Sequence, residues 1–201
     1  LQWSPEANNS TTAMVSNLPA GNNYALRITD VNGCTIDTTL RITEPTELSA
    51  NINKLDVSCF GETNGRIAAT GTGGVGGFVY TWSTGSNQNQ IVSLPAGTYN
   101  LTIADANQCE DVSIVEIIQP DAISISSTSV AAICEDEATG IINISGTGGR
   151  QPYVYGLENQ GFTRNSTFIG LQAGEYIAFI RDSSGCQASN IIQIDNGPEF
   201  S

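Results

Sequence analysis

Histidine is absent from this 201-residue chain, and Lys54 is its only lysine. Without histidine there is no Ser-His-Asp or Cys-His pair, so nucleophilic catalysis of the usual kinds lacks its base. No Cys-x-x-Cys spacing accompanies the missing histidines, so a zinc-thiolate site lacks its ligands too. A self-made isopeptide cross-link needs a lysine in each domain, and one lysine cannot serve a multi-domain chain. Basic charge is scarce in general: 7 Lys plus Arg stand against 20 Asp plus Glu, for a net charge of -13. Nucleic acid and anionic membrane surfaces both require clustered basic residues, so neither is an expected partner. No run approaches the ~20 apolar residues of a membrane span, and no signal peptide opens the chain. Charged residues make up only 13% of the sequence, while β-branched and aromatic residues recur throughout, which excludes disorder.

What the chain has is repetition. Leu18-Pro19-Ala20-Gly21, Leu94-Pro95-Ala96-Gly97 and Leu171-Gln172-Ala173-Gly174 are spaced by 76 and 77 residues. Each leads into an alternating run: Tyr24-Leu26-Ile28, Tyr99-Leu101-Ile103 and Tyr176-Ala178-Ile180. Each run meets a polar turn ending in cysteine: Asp30 to Cys34, Asp105 to Cys109 and Asp182 to Cys186. Cys59 and Cys134, 75 residues apart, each open a stretch that runs through a Gly-rich loop to an aromatic strand. Those strands contain Tyr80 and Trp82 in one copy and Tyr153 and Tyr155 in the other. Pro45, Pro120 and Pro198 keep the same phase.

Apolar/polar alternation over five to seven residues, bounded by Gly, Asn, Asp and Pro, is the signature of half-buried strands. Roughly seven candidates per ~75-residue unit predict all-β, tandem immunoglobulin-like Greek-key sandwich modules. In the middle unit they fall near 48–53, 56–58, 65–71, 78–83, 90–93, 98–104 and 111–118. Tyr24, Tyr99 and Tyr176 sit where a tyrosine corner belongs, with a buried ring and a hydroxyl bonded to the chain a few residues upstream. Trp82, Tyr80 and Tyr155 are expected in the core, and Trp3 in the slot that Trp82 occupies. A sugar-stacking platform built on Trp3, Tyr80 and Trp82 is the less favoured alternative.

Five cysteines cannot all pair with one another. The repeat supplies one early and one late cysteine per unit, which predicts one disulfide in each: Cys59–Cys109 and Cys134–Cys186. Closing a loop of ~50 residues this way contributes roughly 4 kcal/mol, enough to decide whether a small sandwich folds. Such bonds persist only in oxidising surroundings, so the expected location is extracellular or periplasmic. Cys34 becomes a late cysteine left unpaired, its partner falling about 16 positions ahead of residue 1 by the 75-residue spacing. The phase divides the chain into 1–45 (the back part of a unit), 46–121, 122–197, and 198–201 as the start of another. By that reading the array continues beyond both ends.

The series Val57-Ser58-Cys59-Phe60-Gly61, Tyr80-Thr81-Trp82-Ser83, Leu94-Pro95-Ala96-Gly97-Thr98-Tyr99 and Asp105-Ala106-Asn107-Gln108-Cys109 resembles the SprB repeat of giant adhesins from gliding Bacteroidota. The third unit departs from the pattern, with Leu157 for Trp82 and Gln172 for Pro95. The resemblance implies export by the type IX secretion system, display on the outer cell surface, and a part in adhesion or gliding. Neighbouring repeats of the same chain are then the expected partners, with a homo-oligomeric filament or carbohydrate-binding modules as alternatives.

The remaining motifs have ordinary readings. Asp and Asn in the turns are possible calcium ligands, with Asp105 and Glu110 the weak candidates. Both residue types also build tight turns through their own hydrogen bonds, and that is the expected role, so no metal or cofactor is anticipated. Gly71-Thr72-Gly73-Gly74-Val75-Gly76 formally contains GxGxxG, but a strand follows it where a dinucleotide site needs a helix. Sequons at Asn8, Asn9, Asn100, Asn143 and Asn165 reflect composition. The expected function is a stiff stalk or adhesive array without catalytic activity.

Overall fold

The computed structural model describes residues 1–133 and 137–197. Cys134 and the expected further unit at 198–201 lie outside the described residues. The first sheet contains β1 (Gln2–Trp3), β2 (Asn23–Thr29) and β3 (Thr35–Arg41), in that order. Then come β4 (Ser49–Leu55), β5 (Gly65–Thr72), β6 (Val79–Trp82), β7 (Gln90–Leu94), β8 (Gly97–Ala104) and β9 (Glu110–Ile117). The last six are β10 (Ser124–Val130), β11 (Gly140–Thr147), β12 (Val154–Leu157), β13 (Thr167–Leu171), β14 (Gly174–Arg181) and β15 (Gln187–Ile194).

The second and third sets repeat one topology. Sheets β4-β5-β7 and β6-β8-β9 are matched by β10-β11-β13 and β12-β14-β15, antiparallel throughout. Three successive connections cross between sheets, which makes the fold an all-β, immunoglobulin-like Greek key. Each sandwich has six strands where seven were expected. Residues 56–58 make no strand, because a single backbone–backbone hydrogen bond, from Val57 N–H to Ile118 O (3.0 Å), ties them to the end of β9. The inward-pointing Val57 side chain is nonetheless completely buried.

Alternation along the strands decides what is buried. On β8, Tyr99, Leu101 and Ile103 point inward while Thr98 and Asn100 face water. On β5, Ile67 and Ala69 meet them from the opposite sheet, with Trp82, Ile91, Leu94, Val115 and Ile117 completing the core. Each Leu or Ile so buried stabilises the fold by roughly 1.5–3 kcal/mol. The other core redistributes its bulk. Trp82 pairs with Leu101, and at the matching register Leu157 pairs with Ala178. Two residues have therefore become smaller, and Phe168 on β13 stands where Ile91 stands on β7 and restores volume from the facing sheet.

The first sheet has no second sheet facing it among the described residues. The turn Pro5–Ala7 packs against β2 and Tyr24 is fully buried, but the cover stops short of β3. Leu40, opposite Tyr24 on β2, is 54% exposed, whereas its counterparts Val115 and Ile192 are 6% and 8% exposed.

Candidate functional site: the junction between sandwiches

The Asp turns connect the last two strands of each set and are built from one carboxylate. Asp105 Oδ1 accepts the N–H groups of Asn107 and Cys109, both at 2.9 Å, and Oδ2 accepts Val75 N–H at 2.8 Å. Asp182 repeats this with Ser184 (2.8 Å), Cys186 (2.9 Å) and Arg150 (2.8 Å). Asp30 binds Asn32 and Cys34, each at 2.8 Å. The Val75 N–H, together with the other two amides, holds the Asp105 carboxyl below its ordinary value. Both calcium-candidate oxygens of Asp105 therefore already face positive amide dipoles, and Glu110 is exposed on the strand beyond. Asp105 acts as a turn residue.

The glycine loop is the other half of that clasp. Gly73 and Gly74 have φ of 71° and 55°, a region open to glycine. A methyl group on Gly73 would collide with the carbonyl oxygen of Glu47, and one on Gly148 with that of Ala122. Gly74 N–H donates to Thr46 O (2.8 Å), and Gly149 N–H donates to Asp121 O (2.9 Å). The GxGxxG pattern thus lets a loop lie against the incoming chain, beside the Asp turn and the late cysteine.

The early cysteine sits at the opposite end of its sandwich. Its loop is held by Ser58 N–H to Asn64 Oδ1 (3.0 Å), Ser58 Oγ to Glu62 Oε2 (2.9 Å) and Gly61 N–H to Gln119 Oε1 (2.8 Å). The last of these anchors the loop to the exit segment.

This geometry overturns the expected pairing. Cys59 is bonded to Cys186 of the following sandwich, with Cα atoms 5.6 Å apart and a sequence separation of 127. Cys109 is an exposed free thiol, as is Cys34, and the Cys134 half of the other expected bond lies outside the described residues. The reason is length. Cys109 precedes the first residue of β9, while the Cys59 loop is tied to Ile118 just past its last residue. Eight residues at ~3.3 Å each put more than 25 Å between them, several times the span of a disulfide.

Around the bond, Cys59, Phe60 and Glu62 of one sandwich face Pro120–Ile123, Gly149 and Gly185–Gln187 of the next across a cleft. Beside it, Lys54, Asp56 and Ser58 face Arg150 and Ser184. The Ile118 N–H (3.0 Å) and Lys54 (3.0 Å) hold the Asp56 carboxyl low, with added attraction from Arg150 across the junction.

The aromatic positions divide. The hydroxyls of Tyr24, Tyr99 and Tyr176 donate to Pro19 O (2.5 Å), Pro95 O (2.8 Å) and Gln172 O (3.0 Å). Tyr24 and Tyr99 are buried; Tyr176 is only half-buried, contrary to expectation. Trp82 is buried, with Nε1 donating to Gln88 O (2.8 Å), whereas Tyr80 and Tyr155 are half-buried at the core margin. Trp3 pairs with Leu26 as Trp82 pairs with Leu101, but is half-buried beside its uncovered sheet. With Trp82 enclosed and Tyr80 held by Gly71 N–H (3.1 Å), these rings form no open stacking platform.

Residues 51–87, from β4 through the Cys59 loop and past β6, match the SprB repeat family. No curated protein matches the chain. Among solved structures it is similar to the N-terminal eight Ig domains of Down Syndrome Cell Adhesion Molecule, with 12% identity, 89% of this chain and 27% of that chain covered, and a TM-score of 0.38. It is also similar to a C-terminal fragment of intimin in complex with the intimin-binding domain of the translocated intimin receptor, with 11% identity, 87% and 57% coverage, and a TM-score of 0.35. A third is DIP-gamma IG1+IG2, with 13% identity, 77% and 98% coverage, and a TM-score of 0.37. The chain thus spans about a quarter of the first of these and just over half of the second.

Proposed function

We propose that this chain is part of the repeat region of a secreted cell-surface adhesin, and that it acts there as a non-catalytic, stiff stalk. The Cys59–Cys186 bond carries this reading, because it clamps two successive sandwiches across the short junction Ile118-Gln119-Pro120-Asp121. The SprB match at residues 51–87 and the disulfide both favour display outside the cell. Export by type IX secretion and a part in gliding follow from the same family and belong to the proposal. Units at 46–121 and 122–197 are its complete repeats. The uncovered face at Leu40 suits a sheet at 1–45 whose partner layer comes from the same repeat. A partner outside the array would be reached at a distal tip, with neighbouring repeats as the contacts along the stalk.

Small-angle scattering of the 201-residue protein tests the stalk. A compact chain of this length has a radius of gyration near ~17 Å. Sandwiches set end to end over roughly 90 Å, from ~7-residue strands plus loops, give about 26 Å instead. A value near the compact figure would refute the stalk. Homogeneous oligomers in native mass spectrometry would instead support a filament subunit.

A further inference from the structure

Cys109 and Cys186 occupy the same place in successive sandwiches. Each closes an Asp turn, with its N–H donating to the turn's carboxylate at 2.9 Å. Each borders a cleft formed with the incoming proline segment and the second loop glycine: Pro120–Ile123 with Gly149 for Cys186, Glu44–Leu48 with Gly74 for Cys109. The Cys186 seat holds the early-cysteine loop of the preceding sandwich, bonded through Cys59. Among the described residues no such loop sits at the Cys109 seat, and its thiol is exposed. Cys59 cannot fill it, since β9 holds the two apart.

We propose that the Cys109 seat receives the early-cysteine loop of the repeat whose late cysteine is Cys34, so that disulfides join every repeat to the next along the array. The occupant is a loop like Ser58-Cys59-Phe60-Gly61-Glu62, from the same polypeptide on the N-terminal side. The 75-residue early-cysteine spacing puts its cysteine about 125 residues before Cys109, close to the observed separation of 127. Cys34 stands at the same turn position and takes its partner one repeat further back. Two thiols become one disulfide, and the two electrons and two protons pass to a disulfide-carrying oxidoreductase, whose own disulfide becomes a dithiol. This inference rests on the array reading above.

The test is peptide mapping of the full-length protein from its own cells, with free thiols alkylated before non-reducing digestion. The expected result is the Cys59 peptide joined to the Cys186 peptide, and the Cys109 peptide joined to one from upstream of Trp3. In C109S, a single new alkylated thiol is expected on that upstream peptide. Cys109 found alkylated, joined to Cys59, or joined to another chain in reducible multimers would overturn the proposal and leave the array intact. A full-length sequence without an early cysteine some 75 residues before Cys59 would overturn the array reading itself.

Discussion

Breaking the Cys59–Cys186 bond should uncouple two sandwiches that otherwise melt together. With the bond intact and one sandwich still folded, unfolding the other leaves a closed loop of about 60 residues, a chain-entropy penalty of about 4 kcal/mol. Once that sandwich has opened, unfolding the second only enlarges the loop to the full 127-residue separation. A doubling adds about 0.6 kcal/mol. Each sandwich therefore loses most of the bond's protection as soon as its neighbour opens, a coupling of between 3 and 4 kcal/mol in the chain-entropy account. Urea titration can read the two separately, with Trp82 fluorescence in a W3F background for one and amide exchange on β14 and β15 for the other. In the oxidised protein the two transitions should coincide. In C59S/C186S both midpoints should fall and the curves should separate. Separate transitions in the oxidised protein would refute the coupling. So would a loss confined to the Trp82 sandwich, which is what an internal Cys59–Cys109 bond predicts.

The same connectivity should appear under tension. Pulling the oxidised chain from its ends cannot extend the segment between Cys59 and Cys186, and reduction should release roughly 440 Å of contour at ~3.5 Å per residue. Contour gain unchanged by reductant would contradict the bond. For Asp105, native amides lower the carboxyl pKa, so its stabilisation is present above the ordinary aspartate value near 3.8 and is lost as pH falls through the lower folded value. D105N should be less stable at neutral pH and show a flatter decline between pH 5 and 2, measured by thermal melts across pH; a parallel pair of curves would refute this. Tyr99→Phe removes the hydroxyl that bonds Pro95 O and should cost about 1 kcal/mol by urea titration, with the fold retained. Trp82→Ala empties the core beside Leu101 and should cost about 3–5 kcal/mol in the same assay.

Much of the architecture was legible because it depends on local patterns. Tyr99, Leu101 and Ile103 alternate with polar residues, and a period of two places them on one face whatever they pack against. The Asp105 turn was legible for the same reason, since its hydrogen bonds to Asn107 and Cys109 stay within four residues. Leu157 in place of Trp82 was legible as a departure, but its compensation by Phe168 was not, because that balances volumes between strands on opposite sheets. Residues 56–58 misled because Val57 is an inward apolar residue without the ladder that makes a strand.

Sequence alone determined that this protein is a repeating, all-β chain, with one early and one late cysteine in the period and an Asp turn presenting the late one. Tertiary structure alone decided which cysteines meet. Spacing records distance along the chain, and by that measure Cys59 and Cys109 look like natural partners. β9 carries them to opposite ends of one sandwich, and the short junction brings Cys59 to the Asp turn of the next. The bond therefore joins two repeats and closes neither.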